Sequence, residues 1–253
     1  MTDATEPQET FLSHLIELRD RLIRCLVAVA LAFVPAFFFS AELYDFLARP
    51  VIAALPQGSK MIATGVITPF LIPMKISLMA AFLAVLPWVL YQVWAFVAPG
   101  LYTHEKRLVM PLIVSSTVLF FLGMAFCYYF VFGAVFEFIN QWAPKSISVA
   151  PDIEAYFNFV LGMFLAFGIA FEIPVIVVVL AISGIVSIDQ LREWRGYVVV
   201  AIFVVAAVVT PPDVVSQLAL AIPMCLLYEL GIVVARMVGR RKGDVPVPEP
   251  SNE

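Results

Sequence analysis

The stretch "FGIAFEIPVIVVVL", residues 167–180, decides how the chain is read. Thirteen of its residues are apolar or small, and the remaining one, Glu172, stands near the centre. A carboxylate facing hydrocarbon costs several kcal/mol when ionised, so its place in such a run calls for a concave or polar surface beside it. Pro174 follows two residues later and cannot donate to the Ala170 carbonyl, which predicts a kinked, locally open helix. Gly168, one turn earlier on the same face, is read as leaving room beside the carboxylate.

Outward from this stretch the chain stays apolar. It is 62% hydrophobic and only 13% charged, with mean hydropathy +0.99, a composition outside the range of soluble globular domains. Runs of about 20 uncharged residues match a hydrocarbon core of about 30 Å at 1.5 Å per residue. Hydrocarbon offers the backbone no hydrogen bonds, so these runs must be helices. Six spans are predicted: 25–41 with Pro35, 76–97 with Pro87, 108–136, 155–188 around Glu172, 196–210, and 214–235 with Pro223 and Glu229. The fold expected is an all-α integral membrane protein of six transmembrane helices, several kinked by proline, forming a concave scaffold. Residues 1–24 form a cytosolic amphipathic segment, 25–235 the membrane domain and 236–253 a disordered cytosolic tail ending in Pro-rich "GDVPVPEPSNE".

The basic residues set the orientation. With six spans and the N-terminus inside, the inner segments hold Arg19, Arg21, Arg24, Lys106, Arg107, Arg192, Arg195, Arg236, Arg240, Arg241 and Lys242. Only Arg49, Lys60, Lys75 and Lys145 fall outside, so both termini are expected in the cytosol. The polar, acidic start "MTDATEPQET" lacks a signal peptide's basic region, so the first span is read as retained.

Shape cues are local. "PPD" (211–213) joins the last two spans as a tight hairpin, with Asp213 placed to cap the sixth helix. The fifth span is short, about 22 Å of helix, and short spans are accommodated by thinning the bilayer. In "ELYDFLARPVIAAL" (42–55), Leu43, Phe46, Leu47 and Val51 recur at helical spacing, predicting a surface helix broken near Pro50.

Cys25, Cys127 and Cys225 show no metal or redox spacing, and both histidines lie outside the spans. HExxH, P-loop and GxGD patterns are missing, so no cofactor or metal site is read and an enzyme is disfavoured. The polar residues that remain are few. Before the first span, "HLIELRDRL" (14–22) gives one face of Leu15, Leu18 and Leu22 and another of His14, Glu17 and Arg21. Glu17 can pair with Arg21 at i,i+4. Glu105 in "LYTHEKRL" can sit in the first turn of the third helix, after a Thr103 cap. Both carboxylates fall at headgroup level on the cytosolic side, a receptor geometry for guanidinium. In "VVTPPDVVSQLALAIPM" (208–224), Thr210, Ser216 and Gln217 either satisfy backbone groups or form a docking strip for another membrane helix.

The stretches "HLIELRDRL", "LPWVLYQVWAFVAPGLYTHEKR", "FLGMAFCYYF", "FGIAFEIPV" and "TPPDVVSQLALAIPMCLLYE" together resemble the TatC family, in order and over most of the chain. The resemblance implies a multi-pass subunit of the twin-arginine translocase in the bacterial inner membrane. It implies binding of twin-arginine signal peptides and export of folded proteins driven by the proton-motive force. The partners implied are TatB and TatA, further copies of the chain within the receptor complex, and the lipid bilayer, with no nucleic acid. By motif position Glu17, Arg19, Phe96, Leu101 and Glu105 correspond to the signal-peptide site. Thr210 and Gln217 correspond to a partner-docking strip, Pro50 and Asp213 to outer-face positions, and Glu172 to an intramembrane carboxylate. The alternatives are a proton-coupled secondary transporter using Glu172 and a purely structural membrane protein.

Overall fold

The computed structural model describes residues 6–54, 61–97, 109–142, 150–210 and 213–243. The described chain is helical almost throughout. Its helices are α1 (Glu6–Phe38), α2 (Ser40–Ala54), α3 (Thr68–Ala84), α4 (Leu86–Val97), α5 (Val109–Phe126), α6 (Phe132–Trp142), α7 (Ile153–Ala170), α8 (Ile173–Ile182), α9 (Ile188–Glu193), α10 (Arg195–Val209) and α11 (Val214–Gly243). A π-helical turn, Cys127–Val131, makes α5 and α6 one rod.

Four stretches are long and apolar enough to cross a bilayer: Ser13–Phe38, Met110–Ile139, Ile153–Ile182 and Val214–Val238. A fifth is α3 with α4, bent by 60° at Val85, and α10 is a shorter apolar helix of 15 residues. The apolar segments therefore stand where the sequence places its six spans, and the fifth is short as expected.

The boundaries differ for identifiable reasons. The amphipathic start and the first span are one 33-residue helix. No residue from Ser13 to Phe38 is buried, so α1 lies on the outside of the bundle, along α3 and α4. The second span begins eight residues earlier than expected, at Thr68, with Pro69 in the first turn, where a missing N–H costs no intrahelical bond. It then bends because Pro87 cannot continue the ladder: the Val85 N–H bonds to Ala81, and Trp88 and Val89 both bond back to the Val85 carbonyl. The helix of residues 214–235 runs on to Gly243, so 236–243 are helical rather than tail.

Pro50 does not break α2, contrary to the sequence reading. Its missing N–H leaves the Phe46 carbonyl free, and the Tyr128 hydroxyl donates to that carbonyl at 2.9 Å. The next carbonyl, Leu47, accepts from the Tyr156 hydroxyl at 2.8 Å. Two tyrosines from distant helices thus occupy the carbonyls where the ladder weakens, and Leu47, Ala48 and Val51 stay buried on the core side.

The same end of the bundle is clasped by Asp152. It caps α7 through the Ala155 N–H (2.9 Å) and accepts from the Thr64 hydroxyl (2.7 Å) and N–H (3.2 Å). A single parallel bridge, Ile62 with Asp152, aligns the two segments. Deeper in the bundle, α5 and α7 meet at glycine. A Cβ on Gly123 would strike the Phe167 carbonyl and, at 2.8 Å, the Phe171 ring. The space over Gly168 is filled by the Phe120 ring, so it is a packing contact and not the room beside Glu172 that the sequence suggested. Gly231 similarly lets α11 approach α8, its would-be Cβ 3.0 Å from Pro174 and Val177.

Two outcomes test this packing. Gly123→Ala should destabilise the α5–α7 contact by about 1–3 kcal/mol, because the obstructing atom is backbone, lowering the melting temperature in nanodiscs. Asp152 is held below its ordinary carboxyl value, first by the Thr64 hydroxyl and then by the Ala155 N–H. Its clasp is therefore fully present above about pH 3.8 and is lost as pH falls through the lowered value. Amide exchange at Thr64 and Ala155, compared with Asp152→Ala, should show that acid-side opening.

Candidate functional site

At the end opposite α2, the N-terminal part of α1 lies against α4. Its polar face turns inward to α4, while Leu15, Leu18 and Leu22 are exposed at 45%, 44% and 56%. In a membrane this inverts the soluble-protein pattern: leucines meet acyl chains and polar groups meet protein. The His14 imidazole stacks on Phe96 with ring centroids 4.2 Å apart. Glu17 lies one turn on, and its Oε1 accepts two bonds from Arg21, from Nε at 2.9 Å and Nη2 at 2.6 Å. Its Oε2 is 3.9 Å from His14 Nδ1. The i,i+4 pairing read from the sequence is therefore present. Arg21 also donates through Nη1 to Gln92 Oε1 at 3.2 Å.

Glu17 and Phe96 are thus brought together through His14, Arg21 and Gln92. Arg19 is exposed and pairs with its neighbour Asp20 at 2.8 Å. Leu101 and Glu105 lie outside the described residues. A cleft of about 370 Å³ beside Glu17 is lined by Ser13, Ile16, Asp20, Arg21 and Arg24. Sequence reasoning missed Gln92, only 2% exposed and the one amide in "LPWVLYQVWAFV". A lone amide in an apolar span was the signal, since it must have a partner.

Deeper in the bundle, α7 and α8 are separated at Phe171–Glu172. Glu172 is 8% exposed and neither carboxylate oxygen has a hydrogen-bond partner. It lines a cavity of about 390 Å³ whose other walls are apolar, among them Leu90, Trp94, Val97 and Ile176. The expected inward-facing carboxylate is therefore found. The Ser116 hydroxyl lies nearby but not at bonding geometry. Instead, the buried Ser116 Oγ accepts from the Trp94 indole at 3.0 Å.

At the α10–α11 hairpin, Asp213 caps α11 by accepting from the Ser216 N–H at 2.6 Å. Thr210 is buried and its hydroxyl donates to the Ala206 carbonyl at 2.8 Å. Gln217 donates to the Phe203 carbonyl at 3.3 Å, tying α11 to α10. Toward the other end of these helices, Arg195 and Glu229 pair at 2.6 Å.

The sequence profile of the family described as Sec-independent protein translocase protein (TatC) matches residues 13–223. This chain belongs to the TatC family. It is 49% identical over 236 residues to the Sec-independent protein translocase protein TatC of Haemophilus influenzae, covering 93% of this chain and 92% of the relative. The TatC of Escherichia coli K12 is 48% identical over 233 residues, covering 92% and 90%. The fold is similar to a crystal structure described as the twin arginine translocase receptor TatC, with TM-score 0.80 and 37% identity, covering 90% of this chain and 100% of that one. A second such structure, in the detergent DDM, gives TM-score 0.78 at 36% identity. The chain is therefore a membrane-protein subunit of the Sec-independent, or Tat, protein translocase. The transporter alternative gives way to this assignment.

The Trp94–Ser116 contact makes a measurable claim about this TatC-family core. Ser116→Ala should cost about 1–3 kcal/mol, because it leaves a buried indole N–H without an acceptor. The double variant with Trp94→Phe should cost less than the sum of the singles in thermal unfolding.

Proposed function

We propose that this chain binds twin-arginine signal peptides at its cytosolic face through Glu17 and Glu105. With TatB and TatA it supports proton-motive-force-driven export of folded proteins across the bacterial inner membrane. The observation that carries the reading is Glu17, half-exposed in a cleft along α1 and one turn from the His14 ring that stacks on Phe96 of α4. A guanidinium entering that cleft can take charge-assisted bonds from the carboxylate, and the aromatic pair offers the adjoining apolar contact. Arg19 and Leu101 complete the site in this reading. The eleven-to-four distribution of basic residues supports cytosolic termini, which put the cleft on the side where cargo is made.

Glu172 serves the translocation step as a carboxylate open to the cavity. Thr210 and Gln217 form the docking strip for a partner helix, with Gln217 the better placed of the two, because Thr210 is buried whereas Gln217 is only partly so. Pro50 and Asp213 shape the opposite face, and several copies of the chain assemble in the receptor complex.

The test is binding of a synthetic twin-arginine peptide to the full chain in nanodiscs. Glu17→Gln and Glu105→Gln should each weaken it about three- to tenfold, given the strength of hydrogen bonds to charged groups and partial solvent screening. A twin-lysine peptide should bind less well to the unaltered chain. Unchanged affinity in the double variant would overturn the assignment.

A further inference from the structure

Glu17 is the acid on which the proposed site depends, yet it already holds a guanidinium. Both Arg21 bonds converge on Oε1, at 2.6 and 2.9 Å, an arrangement of the kind an incoming arginine would make. The second acid on this turn, Asp20, is likewise held by Arg19 through Nη2 at 2.8 Å and Nε at 3.0 Å. From Ser13 to Arg24 there are two carboxylates against three guanidiniums, so this side of the cleft carries a net positive charge with His14 neutral. Such a surface repels a dication unless an internal cation gives up its place. Among the described residues, Arg21 alone of these cations has a second acceptor prepared for it, the buried Gln92 amide oxygen on α4.

Resting on the signal-peptide reading, we propose that Arg21 is a resident stand-in for the ligand's arginine. It occupies Glu17 in the empty site and is exchanged for the incoming guanidinium, while Gln92 keeps it bonded after release. The exchange sets specificity as well as affinity. A ligand must replace a two-point guanidinium contact, which the planar fork of arginine reproduces and the point charge of lysine does not. Occupancy by Arg21 also lowers apparent affinity by the fraction of time Glu17 is taken, so weak or single-arginine sequences are turned away.

The experiment measures twin-arginine and twin-lysine peptide affinity for the full chain in nanodiscs, with thermal unfolding as the folding control. Arg21→Gln should tighten twin-arginine binding about three- to tenfold and narrow the arginine-over-lysine preference. Arg24→Gln removes the same charge from the same cleft without touching Glu17, and sets the smaller gain due to electrostatics alone. Adding Glu17→Gln to Arg21→Gln should abolish the gain. If Arg21→Gln weakens binding, or gains no more than Arg24→Gln, the stand-in role is overturned. If Glu17→Gln has no effect in the otherwise unaltered chain, it is the site assignment that fails.

Discussion

Hydrocarbon accepts no hydrogen bonds, and most of the fold's polar detail follows from that. Hydroxyls within the apolar helices turn back on their own backbone: Ser77 to Pro73, Thr117 to Ile113, Ser183 to Leu180 and Thr210 to Ala206. The Trp94 indole, which cannot reach its own helix, finds Ser116 on α5. Where Pro50 removes a donor, the Tyr128 hydroxyl takes the Phe46 carbonyl. Against this regularity Glu172 stands out, because its two oxygens have no donor among the described residues. Apart from the buried Ser216 hydroxyl, the bundle bonds such groups internally, and it leaves this acid facing open space, the pattern of a group reserved for something that arrives.

Close helix approach is the other requirement, since lipid tails compete with side chains for apolar contact on equal terms. Association then depends on fit. Gly123, Gly168 and Gly231 mark where α5 meets α7 and where α11 meets α8, with an aromatic ring or a proline seated over each. That rigid packing on one side contrasts with α1, which lies outside the bundle and is held through α3 and α4. Glu17 and Arg19 are therefore on a helix held chiefly by α3 and α4, and the Arg21–Gln92 bond is a polar tie to α4.

Much of this was legible in the sequence. Six apolar segments, the Asp213 cap, the Glu17–Arg21 pair and the inward Glu172 all follow from rules acting over a few residues. What the sequence could not show depends on partners far along the chain. Pro50 reads locally as a break, and only Tyr128 and Tyr156, brought in by α5–α7, make the continuous helix intelligible. Gly168 reads as a gap until Phe120 is seen to fill it. Gln92 announces only that it needs a partner, and Arg21 lies 71 residues away. The break between α3 and α4 was visible as Pro87, but the size of the bend, 60°, depends on what α4 packs against.

That bend also explains why two distant polar features share one element. Past Val85, α4 carries Gln92 to Arg21, Trp94 to Ser116 and Phe96 to His14. Trp94 and Val97 also line the cavity that Glu172 opens into. On a single 12-residue helix these side chains are fixed relative to one another by backbone hydrogen bonds. A rotation or tilt of α4 that releases Gln92 from Arg21 must also shift Trp94 against Ser116 and reshape the wall opposite Glu172. Rim and cavity are therefore geometrically bound through α4, whose angle to α3 is governed by the weakened hydrogen-bond ladder before Pro87.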